Sequence, residues 1–368
     1  MTQEHMTQEQ MTRRQADNMA ATPQKNPNAK HHAVPHAKPN HFTVILTLGI
    51  LLIVLCAAAS IVFGSRPSTM QEVLDGLFRP EADSYGAHVV RQRVSRTVFG
   101  FFCGAALGVS GALMQSVTRN PLADPGILGV NSGAALFVVS GIAFLNISTA
   151  GEYIGLALLG SSIAAIIVFG ISFLGRGGST SIKLVLAGVA TGVALSSLVT
   201  AILLPRSHVM ETFRFWQVGS VGAGDWQSVT IFLPFLLVGI GTAAAVAPAL
   251  NALALGDETA QGLGVRTGLV RFVSAAAGVL LCGVTTALAG PIGFVGLLAT
   301  HVVRLILGPD IRYLIPMSAL AGAAVLTVSD VCGRLIGRPG ELEVGIITAF
   351  IGAPLLIALA KNMKVRSL

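Results

Sequence analysis

The run FTVILTLGILLIVLCAAASIVF, from Phe42 to Phe63, contains no charged residue. As a helix it would extend about 33 Å, enough to cross the hydrocarbon core of a bilayer. In lipid a chain must satisfy its backbone polar groups internally, so such a run reads as a transmembrane helix. Before it lies a polar stretch, residues 1–40, opening MTQEHMTQEQ and ending in NPNAKHHAVPHAKPN. Its composition predicts a disordered tail, too polar and too long for a secretory leader. His31, His32, His36 and His41 lie in or beside this tail without fixed geometry, and no metal site is expected of them.

After Phe63 the pattern repeats to the C-terminus. Ten spans of roughly 20 residues are predicted, with cores at 42–63, 95–116, 125–145, 153–174, 182–204, 229–249, 269–289, 291–307, 314–335 and 343–361. The expected fold is therefore all-α: a polytopic membrane domain of about ten helices over 41–368, preceded by a disordered cytoplasmic tail over 1–40. A hydrophobic fraction of 53%, 11% charged residues and a mean hydropathy of +0.74 exclude a soluble domain of this length. With 42 glycines and only 6% aromatics, the helices have to pack by close approach of small residues. Cys56, Cys103, Cys282 and Cys332 stand singly in apolar stretches and read as small apolar residues.

The net charge of +7 reads as topology, because the basic residues sit at segment ends and form no single patch. Placing both termini in the cytoplasm puts every lysine inside or in the cytoplasmic tails. It leaves Arg66, Arg79, Arg91, Arg93, Arg96, Arg206, Arg214, Arg334 and Arg338 outside. An outer set made only of arginine suits bidentate docking of carboxylates on an acidic extracytoplasmic partner.

Energy has to come from somewhere. No lysine is followed by Ser or Thr, so the chain lacks the phosphate-cradling GxxxxGK[ST] loop. No charged residue falls at the middle of a predicted span, where an ion-coupled carrier would need one. Asp225, Asp330, Glu341 and Glu343 lie near outer ends, and Asp124, Asp257, Glu258 and Asp310 near inner ends. HExxH and GxSxG are absent, so no enzymatic activity is expected. Such a bundle borrows its energy from another subunit, or is a passive channel.

Five stretches then carry a family resemblance, in order along residues 90–361: RQRVSR (91–96), GALMQSVTRNPLADPGILGVNSGAAL (111–136), LGDETAQGLGV (255–265), GPIGFVGLLATHVVRLILGPDIRYLIP (290–316) and SDVCGRLIGRPGELEVGIITAFIGAP (329–354). The chain resembles the permeases that import iron-siderophores, haem and cobalamin, the FecCD-like membrane subunits of type II ATP-binding-cassette importers. The resemblance implies two permease subunits, identical or paralogous, around one pathway. It also implies two cytoplasmic ATPase subunits that hold ATP and Mg, an outside solute-binding protein, and no cofactor in this chain. The implied cargo is an iron(III)-siderophore, with haem or cobalamin as the alternative, moved across the cytoplasmic membrane by alternating access.

Residue by residue, LGDETAQGLGV is similar to the family's coupling helix, with Asp257, Glu258, Thr259, Ala260, Gly262 and Leu263 at the ATPase and His301 and Arg304 in support. A solvated loop is the competing reading. Arg93, Arg96 and Arg334 match the arginines that the family docks against the binding protein; arginines anchoring helix ends are the other account. Arg93 and Arg96, three apart, share one side of a helix. Pro121 and Pro125 bar a continuous helix and predict a turn at the inner face before Gly126 opens the third span. The segment 208–226 holds Trp216 and Trp226, read either as interfacial anchors or as part of a short gating helix. Candidate pathway residues are Gly108, Ser110, Gly111, Met114, Gln115, Asn131, Ser132, Gly188, Thr191 and Ser196.

Overall fold

The computed structural model describes residues 39–126, 128–174 and 181–362. Residues 1–38 of the predicted tail and the last residues, 363–368, lie outside the described residues, as do the histidines at 31, 32 and 36; residues 39 and 40, predicted as tail, open the first helix. The helices are α1 (Pro39–Val62), α2 (Met70–Phe78), α3 (Tyr85–Thr118), α4 (Val130–Ser140), α5 (Ala150–Phe173), α6 (Ser181–Leu203), α7 (Ser207–Gln217), α8 (Trp226–Ala254), α9 (Asp257–Gly262), α10 (Thr267–Ala289), α11 (Val295–Leu307), α12 (Ile311–Ile336) and α13 (Val344–Asn362). Seven of them, α1, α3, α5, α6, α8, α10 and α12, are long and apolar enough to cross a membrane. With the shorter apolar helices α4, α11 and α13 there are ten apolar helices among the described residues, at the places of the ten predicted spans.

Local sequence sets the helix ends. Thr69 with Glu72 and Thr149 with Glu152 form capping boxes that start α2 and α5. Ser84, Asp225 and Asp310 accept backbone N–H groups at the starts of α3, α8 and α12. At the far end of α3, Arg119 adopts a left-handed φ of 51° and stops the helix.

The core is built around α3, which packs against α12, α10, α11 and α8. Glycine makes this possible: a Cβ on Gly108 would stand 2.0 Å from the Ser318 carbonyl oxygen, and one on Gly111 2.6 Å from the Gly296 Cα. Backbones this close leave no room for any side chain, as expected where van der Waals contact carries the association of helices in lipid. By contrast α1 lies at the rim and turns Leu48, Leu51 and Leu55 outward, an apolar surface suited to lipid.

The third crossing departs from its prediction. The chain does not turn at the face of the bundle and resume as a helix at Gly126; α4 begins only at Val130. The Val130 carbonyl accepts the Ser161 hydroxyl at 3.1 Å, and Ser161 lies in the middle of α5. The described residues between Arg119 and Gly129 therefore climb from one end of the bundle toward its middle as non-helical backbone. The prolines explain the loss of helix, and side chains supply the missing partners: Asn120 Oδ1 accepts from Leu122 N–H at 3.0 Å, and Asp124 Oδ1 from Gly126 N–H at 2.8 Å. Irregular backbone at this depth is tolerated only where protein or a water-filled cavity surrounds it.

Candidate functional site

At one end of the bundle, α9 forms a single short helix between two turns that need positive φ, at Gly256 (114°) and Gly264 (81°). Ala260 is fully buried and seats it, while Glu258, Thr259, Gly262 and Leu263 are exposed. Asp257 is half-exposed and paired. It accepts from Arg271 at 2.8 and 3.0 Å and pairs with Arg119, which also donates to the Leu253 carbonyl at 2.6 Å. Of the six residues predicted at an ATPase contact, four thus present themselves outward, Ala260 is buried, and Asp257 ties the helix to two arginines while remaining half-exposed. His301 and Arg304 lie in the last turns of α11, where Arg304 donates to Gln115 of α3 at 3.2 Å. Nearby, Asp310 accepts from the Arg312 guanidinium at 2.8 and 3.2 Å and from Asn251 at 2.7 Å. These bonds, Arg312's first, carry its carboxyl down to about 2.

The opposite end gathers the arginines. Arg334 is buried and donates to the carbonyls of Ser60 (2.9 Å) and Phe63 (3.1 Å), to the Ser60 hydroxyl (2.7 Å) and to Asp330 (2.9 Å). Arg93, also buried, donates to the carbonyls of Ile61 (3.1 Å), Val62 (3.2 Å) and Arg66 (2.6 Å) and to Ser68 Oγ (3.1 Å). Arg338 forks onto the Gly64 carbonyl. Arg93 and Arg334 close the last turn of α1, whose final carbonyls have no partner inside their own helix, and Arg338 holds the backbone just beyond it. Arg96 bridges Asp330 (2.6 Å) and Glu341 (2.7 Å). Burial of Glu341 works against its charge, but the hydrogen bond and charge of Arg96 prevail and hold its carboxyl below the ordinary range. Of the four guanidinium groups gathered here, Arg96 and Arg334 pair with the two carboxylates, and Arg93 and Arg338 bind backbone carbonyls. Sequence reasoning missed Asp330 and Glu341 as partners of these arginines, although Asp330 stands four residues before Arg334, one helical turn away.

Between the ends, a cavity of about 450 Å³ opens beside α6, lined by Gly126, Gly188, Val189, Gly192, Val193, Ser196, Ser197 and Thr200. Gly188 and Ser196 were predicted at the pathway, and Ser132 stands next to it, its hydroxyl 3.5 Å from where a Cβ on Gly192 would be. Asn131 accepts the Thr286 hydroxyl at 2.9 Å. Thr191 is buried on the other face of α6. The five candidates on α3 lie inside helix contacts: Gly108 and Gly111 in the close approaches described above, Ser110 donating to the Gly278 carbonyl at 2.6 Å, Met114 against Gly278, and Gln115 beneath Arg304. Trp216, on α7, donates its indole N–H to the Ala287 carbonyl at 3.1 Å, whereas Trp226 at the start of α8 is exposed.

Comparison with known proteins agrees with this layout. Residues 50–362 match the model of the FecCD transport family. The chain is 39% identical over 313 residues to the ferric enterobactin transport system permease protein FepD of Escherichia coli, covering 85% of this chain and 93% of that protein. It is 38% identical over 319 residues to the Fe(3+)-citrate import system permease protein YfmD of Bacillus subtilis, covering 87% and 95%. It is also 37% identical over 276 residues to the cobalamin import system permease protein BtuC of Halobacterium salinarum, covering 75% and 74%. Among solved structures, a metal-chelate type ABC transporter in an inward-facing conformation matches with a TM-score of 0.74 and 26% identity, over 88% of this chain and 100% of that one. Ten apolar helices, a short exposed helix at one end and a family match spanning nearly all the described residues lead to one conclusion: the chain belongs to the FecCD transport family and is a multi-pass membrane permease of the ATP-binding-cassette type.

Proposed function

We propose that the chain is the permease subunit of an importer for iron(III)-siderophores, worked by alternating access and powered by a separate ATPase. The similarity to ferric enterobactin and Fe(3+)-citrate permeases over more than four-fifths of the chain carries this reading. In this reading the α9 end is cytoplasmic, and the exposed Glu258, Thr259, Gly262 and Leu263 meet the ATPase while Asp257 and Ala260 support them. The arginine end faces outward. Arg96, Arg93 and Arg334 attract carboxylates of an acidic solute-binding protein, Arg96 being the least buried of the three with a side chain 13% exposed, and such attraction weakens as salt rises. The hydroxyl-lined cavity beside α6 faces a second permease subunit and forms one wall of the pathway.

The test is uptake. A cell lacking this chain but retaining the rest of its transporter is supplied with iron-55 as ferric enterobactin, as ferric citrate, or with labelled cobalamin. Restored accumulation of either iron complex on re-expression is the expected result. Restored cobalamin uptake alone would move the chain to the other cargo, and accumulation by the purified chain alone in vesicles would overturn the dependence on an ATPase.

A further inference from the structure

The lever and the cavity are joined through one residue. Asp257 opens α9, and although its side chain is 41% exposed, its carboxylate is held by both Arg119 and Arg271. Arg271 stands in the first turn or so of α10. Arg119 is the left-handed residue that ends α3 and begins the non-helical climb, and its guanidinium simultaneously holds the end of α8 through the Leu253 carbonyl. Seven residues further on, Gly126 lines the cavity. The stretch between is stiff. It carries two prolines, two side-chain-closed turns at Asn120 and Asp124, and a backbone bond from Ala123 N–H to the Asn120 carbonyl (3.1 Å). A displacement applied to α9 through Asp257 therefore moves the base of this stretch without being absorbed along it.

We propose that Asp257 and Arg119 are positioning residues that transmit movement of α9 along residues 119–126 to the cavity wall, and that Asp257 is a linkage inside this chain, not a contact to the ATPase. The proposal rests on the reading of α9 as the ATPase-facing lever. Physical adjacency alone does not demonstrate coupling, so the test measures coupling. The assembled transporter, with its ATPase, is reconstituted with a reporter cysteine, Ser197→Cys, on the cavity wall in a background free of native cysteines. Maleimide labelling of that cysteine is followed with and without ATP.

The wild-type background responds to ATP. Arg119→Gln and Arg271→Gln should bind the ATPase as wild type does while the ATP-dependent change in labelling falls about tenfold. Asp257→Asn combined with Arg119→Gln should be no worse than either alone, because both break one connection. If Arg119→Gln does not fold, Arg119→Lys carries the test: it keeps the charge but loses the fork that reaches Asp257 and Leu253 together, and it too has to weaken the response. An undiminished labelling response in the arginine variants overturns the linkage. So does loss of ATPase binding in Asp257→Asn with Arg119→Gln normal, which would make Asp257 a contact. A wild-type chain that never copurifies with an ATPase would instead sink the functional reading beneath it.

Discussion

Replacing Arg334 by alanine tests whether the arginine end holds the chain together before any partner arrives. The side chain is 1% exposed and its counter-charge Asp330 5% exposed, so neither can be rescued by bulk water. Removing it orphans the carbonyls of Ser60 and Phe63 and leaves Asp330 with Arg96 alone. Breaking a buried pair by removing one member costs roughly 3–5 kcal/mol, and the surviving Arg96 bond argues for the lower end, about 3 kcal/mol. That is roughly a 150-fold shift in the unfolding equilibrium. The assay is unfolding of the purified Trp226→Phe chain by increasing denaturing detergent, followed by the fluorescence of Trp216, whose indole is bonded to the Ala287 carbonyl. Arg334→Lys, which cannot fork onto two carbonyls, should fall between wild type and alanine. Arg338→Ala, at an exposed position, should cost no more than about 1 kcal/mol. An Arg334→Ala chain that unfolds at the wild-type midpoint would refute the capping role, and a selective loss of binding-protein docking in that variant would assign the residue to docking alone.

Gly108→Ala puts a methyl group 2.0 Å from the Ser318 carbonyl oxygen, so α3 and α12 have to part by more than 1 Å; overpacking of this kind costs about 1–3 kcal/mol or more, read as a lower midpoint in the same assay. Gly262→Ala meets nothing within 4 Å and should leave that midpoint unchanged. Acid stability should depend on Asp310: its carboxyl titrates near 2 when folded against about 3.9 when unfolded, so its contribution is complete above pH 4 and is lost as the pH falls toward 2. Asp310→Asn should flatten that acid limb, seen by comparing midpoints at pH 6 and pH 3. Glu258→Lys with Leu263→Asp alters only exposed side chains of the α9 region, so copurification of the ATPase should fall while the unfolding midpoint stays.

Length and hydropathy made most of this fold legible, because lipid allows few alternatives to a helix and a run such as 42–63 has only one use. The short α9 was legible too, since Asp257 and Glu258 interrupt an apolar pattern between paired glycines. Hydropathy could not see where the third crossing becomes helical. Residues 125–129 are as apolar as a helix requires, and the departure comes from prolines and turn-forming Asn120 and Asp124, which a length-based reading absorbs into a loop. The arginines were found but their partners were not: most of what Arg93 and Arg334 bind is backbone carbonyl, and no sequence pattern marks a carbonyl. The α3 glycines carry the same ambiguity, for a residue that lines a pathway and one that admits a neighbouring helix are chosen for the same small size.

The late start of α4 also bears on how the polypeptide enters the membrane during synthesis. Val130 to Leu145 gives only 16 residues of apolar helix, short of the length that partitions into lipid independently. Its unwound approach would leave peptide groups bare in hydrocarbon until α5 arrives to cover them. The two have to insert as a hairpin, and a ribosome stalled between them would expose an arm that the bilayer rejects.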